Sequence, residues 1–189
     1  MSAPAEPKRG IPALPQQVWA PLAAAFLMFV AGGIGFLVGQ PWLFPSLATT
    51  ASLQVETPAQ PGARFYNTIV GHGVALAMGF LAVAVFRAND APGVLSSGHI
   101  VAVRLGAAVL AVGLTTLVTI LLRAANPASG ATTLLVALGS FRTVRDAVAV
   151  IVGVLIVAVV GDVIRRLRLG QTPLALVERR VLARVLPLQ

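Results

Sequence analysis

Six hydroxyl groups recur in two matching stretches of the chain. Phe44-Pro45-Ser46-Leu47-Ala48-Thr49-Thr50 and Asn126-Pro127-Ala128-Ser129-Gly130-Ala131-Thr132-Thr133 each run from a proline through a short spacer to Ala-Thr-Thr. Ser and Thr hydroxyls and the Asn amide donate and accept hydrogen bonds without carrying charge. Proline suits the first turn of a helix, where its missing N–H is no loss, so Pro45 and Pro127 are expected to begin short helices. Such a helix presents free amides and the positive end of its dipole. Together with Ser46, Thr49, Thr50, Ser129, Thr132 and Thr133, it has the chemistry to hold a small anion or polar solute. Asn126 adds a polar ligand, and Asn67 and His72 are supporting groups. His72 could relay protons, donate to an anion or bond a neighbouring carbonyl. Each hydroxyl also has a plainer use, in packing helices or satisfying its own backbone within a membrane. Taken as a pair, the two stretches point to a shared intramembrane site.

The elements that must position these residues are read from hydropathy. The mean hydropathy is +0.89, and no charged residue occurs between Arg9 and Glu56, a pattern that excludes a soluble domain. Residues 18–38, 68–86, 100–122 and 147–164 each approach the roughly 20 residues a helix needs to cross the hydrocarbon. The first of these runs is too long for the core of a secretory signal. The two proline stretches interrupt the apolar pattern, and residues 42–55 would make only about 21 Å of helix. If both short segments dip in and return, the chain has four spans and a parallel repeat. If both cross, it has six spans and an inverted repeat. Length favours a broken or half helix that returns. The expected fold is therefore an all-α polytopic membrane protein with four full spans and two short helices.

An internal duplication organises these pieces. At an offset of 82, residues 18–86 overlie residues 100–168, aligning Pro45 with Pro127, Ile69-Val70-Gly71 with Ile151-Val152-Gly153, and Gly79 with Gly161. A slip of one residue also aligns the two Ala-Thr-Thr triplets. The expected domains are a disordered tail over 1–15, a membrane domain over 16–166, and a cytoplasmic amphipathic helix over 167–189. In that last segment Leu174, Val177, Val181 and Val185 form an apolar stripe opposite Glu178, Arg179 and Arg184.

The net charge of +8 is distributed at span ends and in the tail, not as a groove-reading surface, so nucleic acid is not an expected partner. With the amino terminus in the cytoplasm, four spans place Lys8, Arg9, Arg87 and six arginines after the fourth span inside, against Arg64, Arg123, Arg142 and Arg145 outside. Six spans keep a similar asymmetry, so both termini are expected to be cytoplasmic in a bacterial inner membrane. Arg104 lies in an apolar helix, where it could attract an anion or snorkel to headgroups. Asp162 precedes Arg165 and Arg166 as expected of a helix-end salt bridge. Arg142, Arg145 and Asp146 read as a solvated loop or an outer anion mouth.

Catalysis finds no support. The chain has no cysteine, no paired carboxylates, no metal-ligand spacing and no phosphate loop, so no catalytic residue, metal or cofactor is expected. The expected partners are the bilayer, a small polar or anionic solute, and a second copy if the protein forms a homo-oligomer.

Over about residues 15–165, the run Pro45-Ser46-Leu47-Ala48-Thr49-Thr50, the run Asn67-Thr68-Ile69-Val70-Gly71-His72 and the run Asn126 to Thr133 resemble the HPP family of small integral membrane proteins. That family is named for a His-Pro-Pro triplet, which here reads Asn126-Pro127-Ala128. The resemblance implies a membrane protein with about four spans, and some cyanobacterial and plastid members are linked to nitrite transport. Replacement of the histidine by Asn126 removes a titrating group, although an Asn can still hydrogen-bond an oxyanion. The expected function is transport or conduction of a small solute, with nitrite as the leading anion. The alternative is a non-transporting structural, partner-binding or lipid-binding protein.

Overall fold

Pro45 and Pro127 each occupy the opening turn of a short helix, α2 (Pro45–Glu56) and α6 (Pro127–Ala137). The computed structural model describes residues 14–171. Around the short helices stand α1 (Gln16–Leu37), α3 (Phe65–Val85), α5 (Ala102–Leu121) and α7 (Val144–Arg168), with a minor helix α4 (Val94–Ser97) and a 3-10 turn at Pro61–Ala63. Among the described residues there is no strand. The four long helices are each long and apolar enough to cross a membrane. The expected tail over 1–15 and the amphipathic stripe beyond Thr172 lie almost wholly outside the described residues, while α7 runs on to Arg168.

Small residues set the packing. Ala31, Ala51, Ala75, Ala82, Ala107 and Ala111 are buried, whereas Phe26, Phe29, Phe36, Val109, Ile120 and Leu121 are exposed. This inversion of the soluble pattern is what lipid demands, since close approach of helices through small side chains replaces a hydrophobic driving force.

The chain crosses the bundle with every one of its six main helices. Gln16, at the start of α1, donates from Nε2 to the carbonyl of Val55 at 3.0 Å, so the end of α2 lies beside the start of α1. Arg104, near the start of α5, donates from Nη1 to the carbonyl of Ala137 at 3.2 Å, which brings the end of α6 beside the start of α5. The length-based expectation of segments that dip and return is thereby corrected. Extended chain makes up the missing depth: Gln40 and Trp42 fold back against Gly35, and Leu43 reaches Gly32 before α2 begins.

We call the end carrying Gln16 proximal and the other distal. Arg168 donates to the carbonyl of Leu14, so both ends of the described chain are proximal. Phe44 and Phe141 meet edge to face at the distal end, 4.9 Å between ring centres.

The two halves are related as an inverted repeat. Helix α1 packs on α2 and α7, and its counterpart α5 packs on α6 and α3; α2 pairs with α6, and α3 with α7. Exchanging the halves leaves this set of pairings unchanged. The glycines aligned by the offset confirm it at close range. A Cβ on Gly153 would meet Leu47 Cδ1 at 2.9 Å, and one on Gly71 would meet Ser129 Cβ at 3.5 Å, residues 47 and 129 being equivalent. Gly161 lies against Gln54 just as Gly79 lies against the equivalent Val136. Each third helix thus carries two bare backbone patches on which the opposite half's short helix rests.

Candidate functional site

The two Ala-Thr-Thr motifs meet through one imidazole. Thr50 Oγ1 on α2 lies 2.9 Å from His72 Nε2, and Thr132 Oγ1 on α6 lies 2.8 Å from His72 Nδ1. Thr50 and Thr132 are equivalent at the offset of 82, so His72 is clasped near the pseudo-two-fold axis by a symmetric pair, while its own equivalent is Val154. Thr50 also donates to the carbonyl of Ser46 at 2.7 Å. A hydroxyl has one hydrogen, so this bond leaves Thr50 Oγ1 to accept from Nε2–H and leaves Nδ1 to accept from Thr132; the tautomer is assigned from this network. His72 is 1% exposed, and Thr50 and Thr132 are fully buried.

A second group of polar residues lines a groove of about 280 Å³ between α5 and α6. Asn126, Ser129 and Thr133 contribute from α6 and its cap, and Thr115, Thr116 and Thr119 from α5. Thr115 and Thr133 share a hydrogen bond of 3.0 Å, and Thr119 bonds back to the carbonyl of Thr115. Thr132 and Thr133 are consecutive on α6, so this one helix separates His72 from the groove. The expected site is therefore divided: both motifs converge on His72, but only the second borders the groove.

The remaining expected residues have other surroundings. Asn126 caps α6, its Oδ1 accepting from the amide of Ala128 at 2.9 Å, and its Nδ2 reaches Thr68 at 3.4 Å. This makes Asn126 a good helix cap. Ser129 donates to the carbonyl of Asn126 at 2.6 Å. Asn67 stitches the connection before α6, donating to the carbonyl of Ala125 at 3.1 Å. Thr49 is exposed and bonded to the carbonyl of Pro45, away from both groups. Ser46 is fully buried, and its hydroxyl has no hydrogen-bond partner among the described residues.

Gln54, absent from the expected set, shares that condition. It is fully buried against Gly161 with both amide atoms unpartnered among the described residues. Ser46, Thr50 and Gln54 recur every four residues along the inner face of α2, where the equivalent positions of α6 carry Ala128, Thr132 and Val136. That spacing, like the one between Thr115 and Thr119, is a signal the sequence displays. Gln54, Thr115 and Thr119 lie outside the repeated motif.

The charged residues settle differently from one another. Arg104 does not snorkel: it is 1% exposed, and its guanidinium serves the carbonyls of Ala91, Pro92 and Ala137 at the distal end. Asp162 pairs with Arg165 and Arg166 as expected. Thr143 and Asp146 form a capping box that starts α7, and Arg142 donates to the carbonyls of Gly139 and Ala91. No cluster of metal-ligating side chains occurs among the described residues.

The family model describing the transmembrane region of HPP proteins matches residues 10–173. The chain belongs to the HPP family. This HPP protein matched no curated protein and no solved structure in the corresponding comparisons. Membership accounts for a multi-pass protein with four long apolar helices. Within this HPP protein, the triplet that names the family is an Asn-initiated helix start whose cap bond, not a ring nitrogen, holds the first turn of α6.

Proposed function

We propose that this HPP protein is a transporter or channel for a small polar solute, with a small anion such as nitrite as its substrate class. The observation that carries this reading is the groove between α5 and α6. There the hydroxyls of Thr115, Thr116, Ser129 and Thr133 gather beside the amino-terminal turn of α6, Ser129 donating to the carbonyl of Asn126 and Thr115 bonded to Thr133. Helix amino termini and hydroxyls favour anions without the cost of a buried cation. The inverted repeat supports transport, because two packed halves related in this way can rock about their junction. That junction lies at His72 between α2 and α6, beside the groove that α5 and α6 of the second half enclose.

The same reading places the protein in a bacterial inner membrane with the proximal end in the cytoplasm. Among the described residues, Arg64, Arg123, Arg165, Arg166 and Arg168 belong to the proximal end, against Arg87, Arg104, Arg142 and Arg145 at the distal end. The sequence before α1 and after α7 adds Lys8, Arg9, Arg179, Arg180 and Arg184, the asymmetry that directs topology. The rim residues Val112, Thr116 and Ile120 are exposed, which favours a lipid- or partner-binding groove as the competing reading.

Flux into proteoliposomes separates the two. Wild type is expected to admit nitrite faster than protein-free vesicles, and Thr116→Val with Thr133→Val to slow it by about tenfold, the equivalent of about 0.7 kcal/mol for each of two lost hydroxyls. Thr49→Val, on the outer face of α2, should leave the rate unchanged. Equal rates in wild type and the double variant would remove the groove from the path, and no flux of any small anion would favour the binding role.

A further inference from the structure

We propose that His72 is the proton-carrying group of this protein, taking up one proton together with the anion bound in the groove, so that the two move as a pair. The inference rests on the transport reading above and adds the coupling ion.

His72 lies on α3, which packs against α5, α6, α7 and the turn at Pro61–Ala63. Helix α6 has no ionisable residue, and the only one on α2 is Glu56 at its last position. On α5, Arg104 is held at the distal end by backbone carbonyls. On α7, Arg145 and Asp146 lie two turns before Val154, while Asp162 lies two turns after it and is paired with Arg165 and Arg166. On α3 itself the other ionisable group is Tyr66, whose hydroxyl donates to the carbonyl of Leu122 at the proximal end. No described carboxylate therefore faces the imidazole, and an imidazolium there needs a negative charge from elsewhere.

The groove can supply it. Thr132 bonds His72 and the next residue, Thr133, lines the groove, so one turn of α6 is all that separates the proton from a bound anion. Across the width of one helix in a low-dielectric interior, opposite charges stabilise one another and each lowers the cost of burying the other. On its other side His72 borders a cavity of about 200 Å³ lined with Ile69, Leu76, Val150 and Val154, which offers an anion no polar group except the imidazole. The compensating charge belongs on the α6 side.

Helix α2 supplies the approach. Ser46 and Gln54 flank Thr50 at four residues to either side, one toward each end of the bundle, and both are buried with unpartnered polar atoms. In hydrocarbon such groups are expensive unless water or a passing solute engages them. The feature belongs to one half alone, since α6 carries Ala128 and Val136 at those positions. The chemistry is a single proton transfer. A proton adds to Nδ1, which in the neutral ring accepts from Thr132; the imidazolium then donates to both threonines. Loss of that proton on the far side restores the neutral ring, and no other bond changes.

Two measurements on the full-length protein in liposomes test this. In vesicles containing a pH-sensitive dye, potassium and valinomycin clamp the potential, so that potassium balances any unaccompanied charge. An inward nitrite gradient should then carry protons in at about one per anion beyond the protein-free background, the ratio set by one imidazole per bound anion. His72→Gln should abolish that proton entry. In the wild type, 15N-histidine NMR should show one of the two imidazoles gaining a proton when nitrite is added at acidic pH, and the signal should be missing from His72→Gln. Anion flux without proton entry overturns the proposal and leaves transport standing. Anion-linked protonation without flux upholds the proton site and rejects transport. Absence of anion-linked protonation, or proton entry unchanged in His72→Gln, overturns the proposal.

Discussion

His72 shows how much of one residue's character is contributed by others. Its two nitrogens are occupied by threonines that the duplication makes equivalent, so a symmetric clasp holds an asymmetric ring. Removing one side should be costly. Thr132→Val takes away the donor to Nδ1 and leaves a buried acceptor unmatched, an expected loss of about 1–3 kcal/mol. Thermal unfolding in detergent checks this, with Thr49→Val, on the exposed face, expected within about 0.5 kcal/mol of wild type. At this scale the sequence displayed residue types but not their assignments. Thr49 and Thr50 are adjacent and chemically identical, yet one bonds its own helix at the surface and the other bonds His72 in the core. Arg104 was legible as unusual, but its partners are carbonyls at Ala91, Pro92 and Ala137, which no side-chain pattern announces.

At the scale of elements, the apolar runs and the prolines carried most of the information. The four long helices begin and end within a few residues of the hydropathy boundaries, and both short helices start at their prolines because an N–H is not needed there. The glycines of α3 and α7 gain a meaning that only packing supplies. Gly79 lies so close to Val136 that a Cβ there would sit 2.8 Å from Val136 Cβ, whereas Gly73, on the same helix, has open space. Gly79→Ala is therefore expected to destabilise by about 1–3 kcal/mol through overpacking. Gly73→Ala should be neutral or slightly stabilising, by up to about 1 kcal/mol, because alanine is the better helix former. Unfolding of the two variants under identical detergent conditions reads the difference directly. An equal effect at both positions would mean that α3 does not rest on α6 through Gly79.

The whole molecule is decided by the direction of the short helices. Crossing by α2 and α6 puts the 57–64 connection at the same end as Gln16 and puts the α4 region at the other; segments that dip and return would reverse both positions relative to the termini. The chain has no cysteine, so single labels are unambiguous. Ala59→Cys and Ser96→Cys, both at exposed positions, should react with an impermeant maleimide from opposite faces of sealed vesicles, Ala59→Cys from the face that bears the amino terminus. Labelling of Ala59→Cys from the face opposite the amino terminus would restore the four-span arrangement. By itself the sequence determined the membrane class, the four long spans, the duplication, the helix starts and the family, because hydropathy, proline chemistry and periodicity are local properties written along the chain. Only the tertiary structure decided that the repeat is inverted and that its motifs share His72 but not the groove. Helix direction depends on the extended chain that folds back before α2, and shared contacts depend on residues brought together from distant parts of the sequence. Neither leaves a local trace in residue order.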